Sequence, residues 1–134
     1  MVADHTRPPP RHSRRDVLPV EGGRQAIDRR ALFALRGQDV ELFAPDLHGA
    51  VVLKAAAHRV DQRDRDRHLV DAVTLLACIA DTDAIVSTLK GSDRQRLQHL
   101  LRALDEKPLI LAQVPADTAT FARQTIDELR DALR

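Results

Sequence analysis

Tryptophan and tyrosine are absent from this chain, and only three of its 134 residues are aromatic, all of them phenylalanine. Hydrophobic residues nevertheless make up 43% of the sequence, so a core has to be built from Leu, Val, Ile and Ala. That composition favours helix packing over a β-sandwich, whose strands draw on aromatic and β-branched side chains. Cysteine occurs once, at Cys78, which excludes an intrachain disulfide and fits a reducing cytoplasm. With Ala77 and Ile79 beside it, the thiol is expected to be buried as a small hydrophobe. An excess of one charge is also missing. The 21 basic side chains meet 20 acidic ones, for a net charge of +1, so bulk electrostatics selects neither nucleic acid nor an anionic membrane surface. No apolar run approaches the roughly 20 residues of a membrane helix, and the first residues hold no apolar segment of the signal-peptide kind.

The remaining residues suffice for one domain with one core. Residues 1–15 contain three consecutive prolines, several arginines and almost nothing apolar, and read as a disordered basic tail. A short β-type run at 16–20 stops at Gly22-Gly23, and 25–30 reads as a helical turn or an extended link. Apolar residues then alternate over 31–35 and 39–43 around Arg36-Gly37-Gln38, which predicts a β-hairpin ended by Pro45. Asp46 is placed to cap a helix over 47–60 that is apolar nearly all round and therefore central. After a charged linker at 61–65, a second apolar helix is expected from Asp66 to about Ala80, then a short one over 84–89. Ser92 and Gln95 have capping-box spacing ahead of a helix to about Asp105 with Leu97, Leu100, Leu101 and Leu104 in one stripe. The stretch 109–114 is apolar and ambiguous. A last amphipathic helix over 117–133 is expected to bury Phe121, Ile126, Leu129 and Leu133. The fold class predicted is mainly α (α+β), with a hairpin region at 16–45 and a helical bundle at 46–134.

Lys54 is the most unusual residue, because Ala50-Val51-Val52-Leu53 precede it and Ala55-Ala56-Ala57 follow, and an unpaired ammonium there is costly to desolvate. Asp71 poses the mirror problem among Leu69, Val70, Ala72 and Val73. If the two helices pack antiparallel through the linker, both residues lie at similar distances from the turn and can meet. One outcome is an ion pair that fixes helix register. The other is a cationic site in which Lys54, Arg59, Arg67 and His68 accept phosphate or another anion.

The stretch Pro45-Asp46-Leu47-His48-Gly49-Ala50-Val51-Val52-Leu53-Lys54-Ala55-Ala56-Ala57-His58-Arg59, followed by Arg67-His68-Leu69-Val70-Asp71-Ala72 and Leu75-Leu76, carries a resemblance. It resembles the C-terminal helical part of bacterial nucleotidyltransferase-like proteins of the abortive-infection toxin type. Val20-Glu21-Gly22-Gly23-Arg24-Gln25-Ala26-Ile27 and the hairpin resemble what precedes those helices, so the likeness covers about 16–105. It implies that Lys54 and Asp71 stand near a nucleotide, while the chemistry needs a Gly-Ser followed by a strand-borne Asp-x-Asp that binds Mg²⁺. Gly91-Ser92 precedes a helix; Asp64-x-Asp66 lies in a linker; Asp81-x-Asp83 follows a helix; Asp39-x-Glu41 sits on the hairpin without a Gly-Ser. The carboxylate half is therefore missing from the pattern, no catalytic residue is assigned, and Mg²⁺ is implied only where a catalytic half is supplied.

Other chemistry has less to stand on. His58, His68 and Cys78 are ten apart, which is not a metal-ligand spacing, so no metal site is assigned. Residues 66–105 make a poor helix-turn-helix because the Asp81-Thr82-Asp83 turn is acidic. Arg94, Arg96, Gln98, His99 and Arg102 read as a solvated face. The leading expectation is an incomplete or non-catalytic nucleotidyltransferase-like protein whose Lys54, Arg59, Arg67, His68 and Asp71 form a residual anion or nucleotide pocket or a structural network. The alternative is an antitoxin-like or regulatory module that binds a protein partner or forms a homo-oligomer through the surface where the lost catalytic half would have packed; an exposed apolar patch near residues 31–43 and self-association would support it. Weak nucleic-acid binding through the tail and the 94–102 face comes third.

Overall fold

In the computed structural model the described residues are 11–12, 15–16, 21–34, 37 and 40–134. Most of the expected tail and the run at 17–20 lie outside them; inside, two-residue strands β1 (Arg11–His12) and β2 (Arg15–Asp16) pair antiparallel. The chain then makes α1 (Gly23–Asp28), entered through Gly22 at φ 83. That left-handed conformation suits glycine, and a Cβ at Gly22 would lie 3.4 Å from the Ala56 side chain.

The hairpin follows as β3 (Arg30–Ala34) and β4 (Glu41–Pro45), with Leu32 opposite Phe43 and Phe33 opposite Leu42. Both strands are displaced from the expected positions, and Pro45 ends β4 from within as its last residue. Asp46 caps α2 (Leu47–Val60), its carboxylate accepting the Gly49 N–H at 2.7 Å. That hydrogen bond satisfies one of the amides left free at a helix start.

Helix α2 is central: Val51, Val52, Ala55 and Ala56 are buried as it packs against α1, α3 and α5. Helix α3 (Arg65–Leu76) buries Leu69, Ala72, Val73 and Leu76, at helical spacing. It stops earlier than expected, because the Cys78 and Ile79 amides bond three residues back to Leu75 and Leu76. Cys78 is in consequence exposed, contrary to expectation. Helix α4 (Thr82–Thr88) is capped by Asp81 through the Ala84 N–H, and α5 (Asp93–Glu106) buries Leu97, Leu100, Leu101 and Leu104 as expected. The Ser92 side chain makes no capping bond; the Asp93 carboxylate instead accepts the Lys90 N–H at 3.0 Å. The ambiguous stretch is a 3-10 helix, Pro108–Gln113.

Helix α6 (Ala116–Ala132) buries Ala119, Ala122, Ile126 and Leu129, with Leu133 just beyond its end. Phe121 lies off that stripe and is 58% exposed, so its expected burial is corrected. The fold is mainly α with a β-hairpin, and one aliphatic cluster joins α2 to α6. Each fully buried Leu in it contributes about 1.5–3 kcal/mol. No helix among the described residues is long and apolar enough to cross a membrane.

Candidate functional site

The antiparallel packing of α2 on α3 brings Lys54 and Asp71 together, with Nζ 2.6 Å from Oδ2. The pair sits at the edge of the helix interface, about one third exposed on each side chain, and not in the dry interior that the flanking residues suggested. Such a pair is screened by water and adds little stability of its own, while it still favours one register. Of the other candidates, Arg59 pairs with Glu21 at 2.9 Å, His68 Nε2 lies 3.2 Å from Asp61 Oδ2, and Arg67 is exposed. Lys54, Arg59 and His68 therefore each face a carboxylate already. None of the five lines the open groove of about 390 Å³ between α5 and α6, where Leu101, Arg102, Asp105, Arg130 and Leu133 are found.

A denser polar cluster lies where α1, α2 and α5 meet. Asp93 is fully buried, and Arg29 Nη2 donates to its Oδ2 at 2.8 Å and also to the Thr88 carbonyl. Arg96, expected on a solvated face, is buried; it lies 3.4 Å from Asp93 Oδ1 and 3.6 Å from Glu21, and donates to Gln25 Oε1. Arg96 Nε and Arg29 Nη1 have no hydrogen-bond partner among the described residues. The cluster ties the segment that leads into the hairpin to the start of α5, across more than sixty residues of sequence.

At the other end of the α2–α5 contact, His58 Nδ1 and His99 Nε2 are 3.2 Å apart, with ring centroids at 5.3 Å. One nitrogen donates and the other accepts, so the contact requires at least one imidazole to be neutral. Burial, then the charge of Arg65, holds His58 down at about 4. Burial and Arg102 lower His99 as well. Asp61 is held below the usual carboxylate range chiefly by the Arg63 backbone N–H that it accepts. Among the described residues no group of three or more His, Cys, Asp or Glu side chains could hold a metal ion.

The hairpin is the other unusual feature. Leu32 is 51% exposed, Phe33 49%, Leu42 49% and Phe43 66%. Side chains alternate across a strand, so Leu32 and Phe43 occupy one face and Phe33 and Leu42 the other. The Arg30 guanidinium covers the Phe43 ring at 5.3 Å, but both faces remain apolar. The Asp46 N–H donates to the Arg29 carbonyl at 2.7 Å, which fixes the pattern of the ladder. Ala31, Phe33, Leu42 and Ala44 turn their backbone groups inward, and Arg30, Leu32, Ala34, Glu41, Phe43 and Pro45 turn theirs outward. Neither outer edge has a partner strand among the described residues.

No family model, curated protein or solved structure matches the chain. Sequence reasoning missed Asp93, Arg96 and His58 as buried groups, and the half-buried His99 as the partner of His58, yet helical period contains part of the signal. Extending the stripe Leu104, Leu100, Leu97 back one turn reaches Asp93, and Val51, Ala55 and His58 fall on one face of α2.

Proposed function

We propose that the chain is a non-catalytic, nucleotidyltransferase-like protein that works by protein interaction, with the β3–β4 ribbon as its contact element and the helical bundle as platform. The observation that carries this reading is a ribbon apolar on both faces and, among the described residues, without a partner strand at either edge. Strands buried on one side alternate apolar with polar; strands apolar on both sides belong inside layered sheets. A partner that supplies an adjoining strand and apolar cover would satisfy the faces and the free backbone groups together. The lineage rests on the likeness over about residues 16–105, strongest in 45–59 and 67–76. In this reading Lys54 and Asp71 set the register of α2 on α3, and the contact suits a regulatory or antitoxin-like role.

The test is site-specific photocrosslinking. A photoreactive phenylalanine analogue at position 43 is expected to give one protein adduct of defined mass, and the same analogue at Phe121, an equally accessible aromatic on α6, none. Equal adducts from both positions, or none from position 43, would refute the reading.

A further inference from the structure

Which strand completes the ribbon follows from the edges. Helix α1 packs against α2 and β4, and β4 ends in Pro45, whose backbone faces outward and has no N–H to give. The outer edge of β4 is therefore short of a donor. The outer edge of β3 is complete: Arg30, Leu32 and Ala34 each turn an N–H and a C=O away from β4, and no hydrogen bond to them exists among the described residues.

Resting on the interaction reading above, we infer that a second copy of this chain binds here, β3 against β3 antiparallel about a two-fold axis at Leu32. In that register Leu32 meets Leu32 of the second copy, and Arg30 meets Ala34 of the second copy on either side. Every outward N–H and C=O of both strands is then paired. The side chains agree with the backbone. On one face Phe43, Leu32 and their counterparts form a continuous apolar row across four strands.

On the same face, Glu41 lies across from Ala34 in β4. Arg30 of one copy is thus two strands, roughly 10 Å, from Glu41 of the other, with only a methyl group between them. Both side chains are long enough to meet over Ala34 once the Arg30 guanidinium leaves the Phe43 ring and the Ile27 carbonyl that it contacts within its own chain, and the symmetry makes this contact twice. On the opposite face Phe33 of one copy stands across from Ala31 of the other, large against small. No like charges face each other at the junction. A closed two-fold pair also leaves no further β3 edge for a third copy.

Sedimentation of the whole chain is expected to give twice the 14.9 kDa of the monomer. Leu32→Pro removes an outward N–H and the central apolar side chain of the row, takes no hydrogen-bond donor from the β3–β4 ladder, and is expected to sediment as a folded monomer. Arg30→Glu sets two pairs of carboxylates against each other and is expected to weaken dimerisation by about tenfold, with Arg30→Glu/Glu41→Arg restoring it. Circular dichroism checks that each variant remains folded. A monomeric wild type, a dimer indifferent to Leu32→Pro, or no rescue by the charge swap overturns the inference. The crosslink at position 43 separates the two levels. An adduct containing a different protein overturns the second copy alone, and no adduct at all overturns the interaction reading with it.

Discussion

Acidification is expected to loosen the joint between α2 and α5, and the size of the effect follows from His58. In the unfolded chain its imidazole titrates near 6.5, whereas in the fold burial and the Arg65 charge hold it at about 4. Between those values the unfolded chain binds a proton that the folded chain does not, so stability rises with pH across that window. The contribution is complete above 6.5, declines as pH falls, and is gone below about 4. At roughly 1.4 kcal/mol per pH unit the full span amounts to about 3 kcal/mol, a large part of the 5–15 kcal/mol typical of a folded domain. His99 is lowered too and acts with the same sign. Urea unfolding at pH values from above 6.5 down to about 4 measures it. His58→Asn keeps an N–H near the Nδ1 position but cannot titrate, so the variant is expected to show a clearly shallower slope. A wild-type stability that is flat across the window, or a slope unchanged in His58→Asn, would refute the argument.

Three further outcomes are expected. Asp93→Ala strands Arg29 and Arg96 in the interior and should cost about 3–5 kcal/mol in urea unfolding, whereas Lys54→Met, at a water-screened pair, should cost about 1 kcal/mol or less. Removing the α2 cap with Asp46→Ala should cost about 1 kcal/mol, and Gly22→Ala about 1–2 kcal/mol because its φ of 83 is left-handed. Calorimetric titration with ATP or CTP plus Mg²⁺ is expected to release no heat; heat that disappears in Lys54→Ala would establish a nucleotide pocket in place of the register role.

Where the sequence carried one clear period, the structure follows it. The Leu97, Leu100, Leu101, Leu104 stripe and the Asp46 cap were legible because a local rule decides each of them. Phe121 shows phase outranking size: Ala119, Ala122, Ile126 and Leu129 define the buried side, and Phe121 is out of step with it. Arg96 reads as solvent-facing from its charge and is buried, beside an Asp93 that is in phase with the leucines. Long-range pairing decided the matter, since the Arg29 that neutralises Asp93 arrives from the other end of the chain. The Lys54–Asp71 contact could be foreseen from the shared distance to the linker; its position at the rim could not, because it depends on how α2 is rotated against α3.

The Arg29 side chain has a mechanical meaning. It is the last residue before β3, and its guanidinium is clamped to Asp93 and to the Thr88 carbonyl. The arm cannot swing at its root without drawing the Arg29 charge away from a buried carboxylate. The ribbon therefore projects from the bundle at a set angle, as a bracket does from a wall. In a two-fold pair, the relative orientation of the bundles would then be dictated by sheet twist, some 20–25° between neighbouring strands, and by two such brackets. A substitution in α5, far from any contact between copies, would tilt one body against the other.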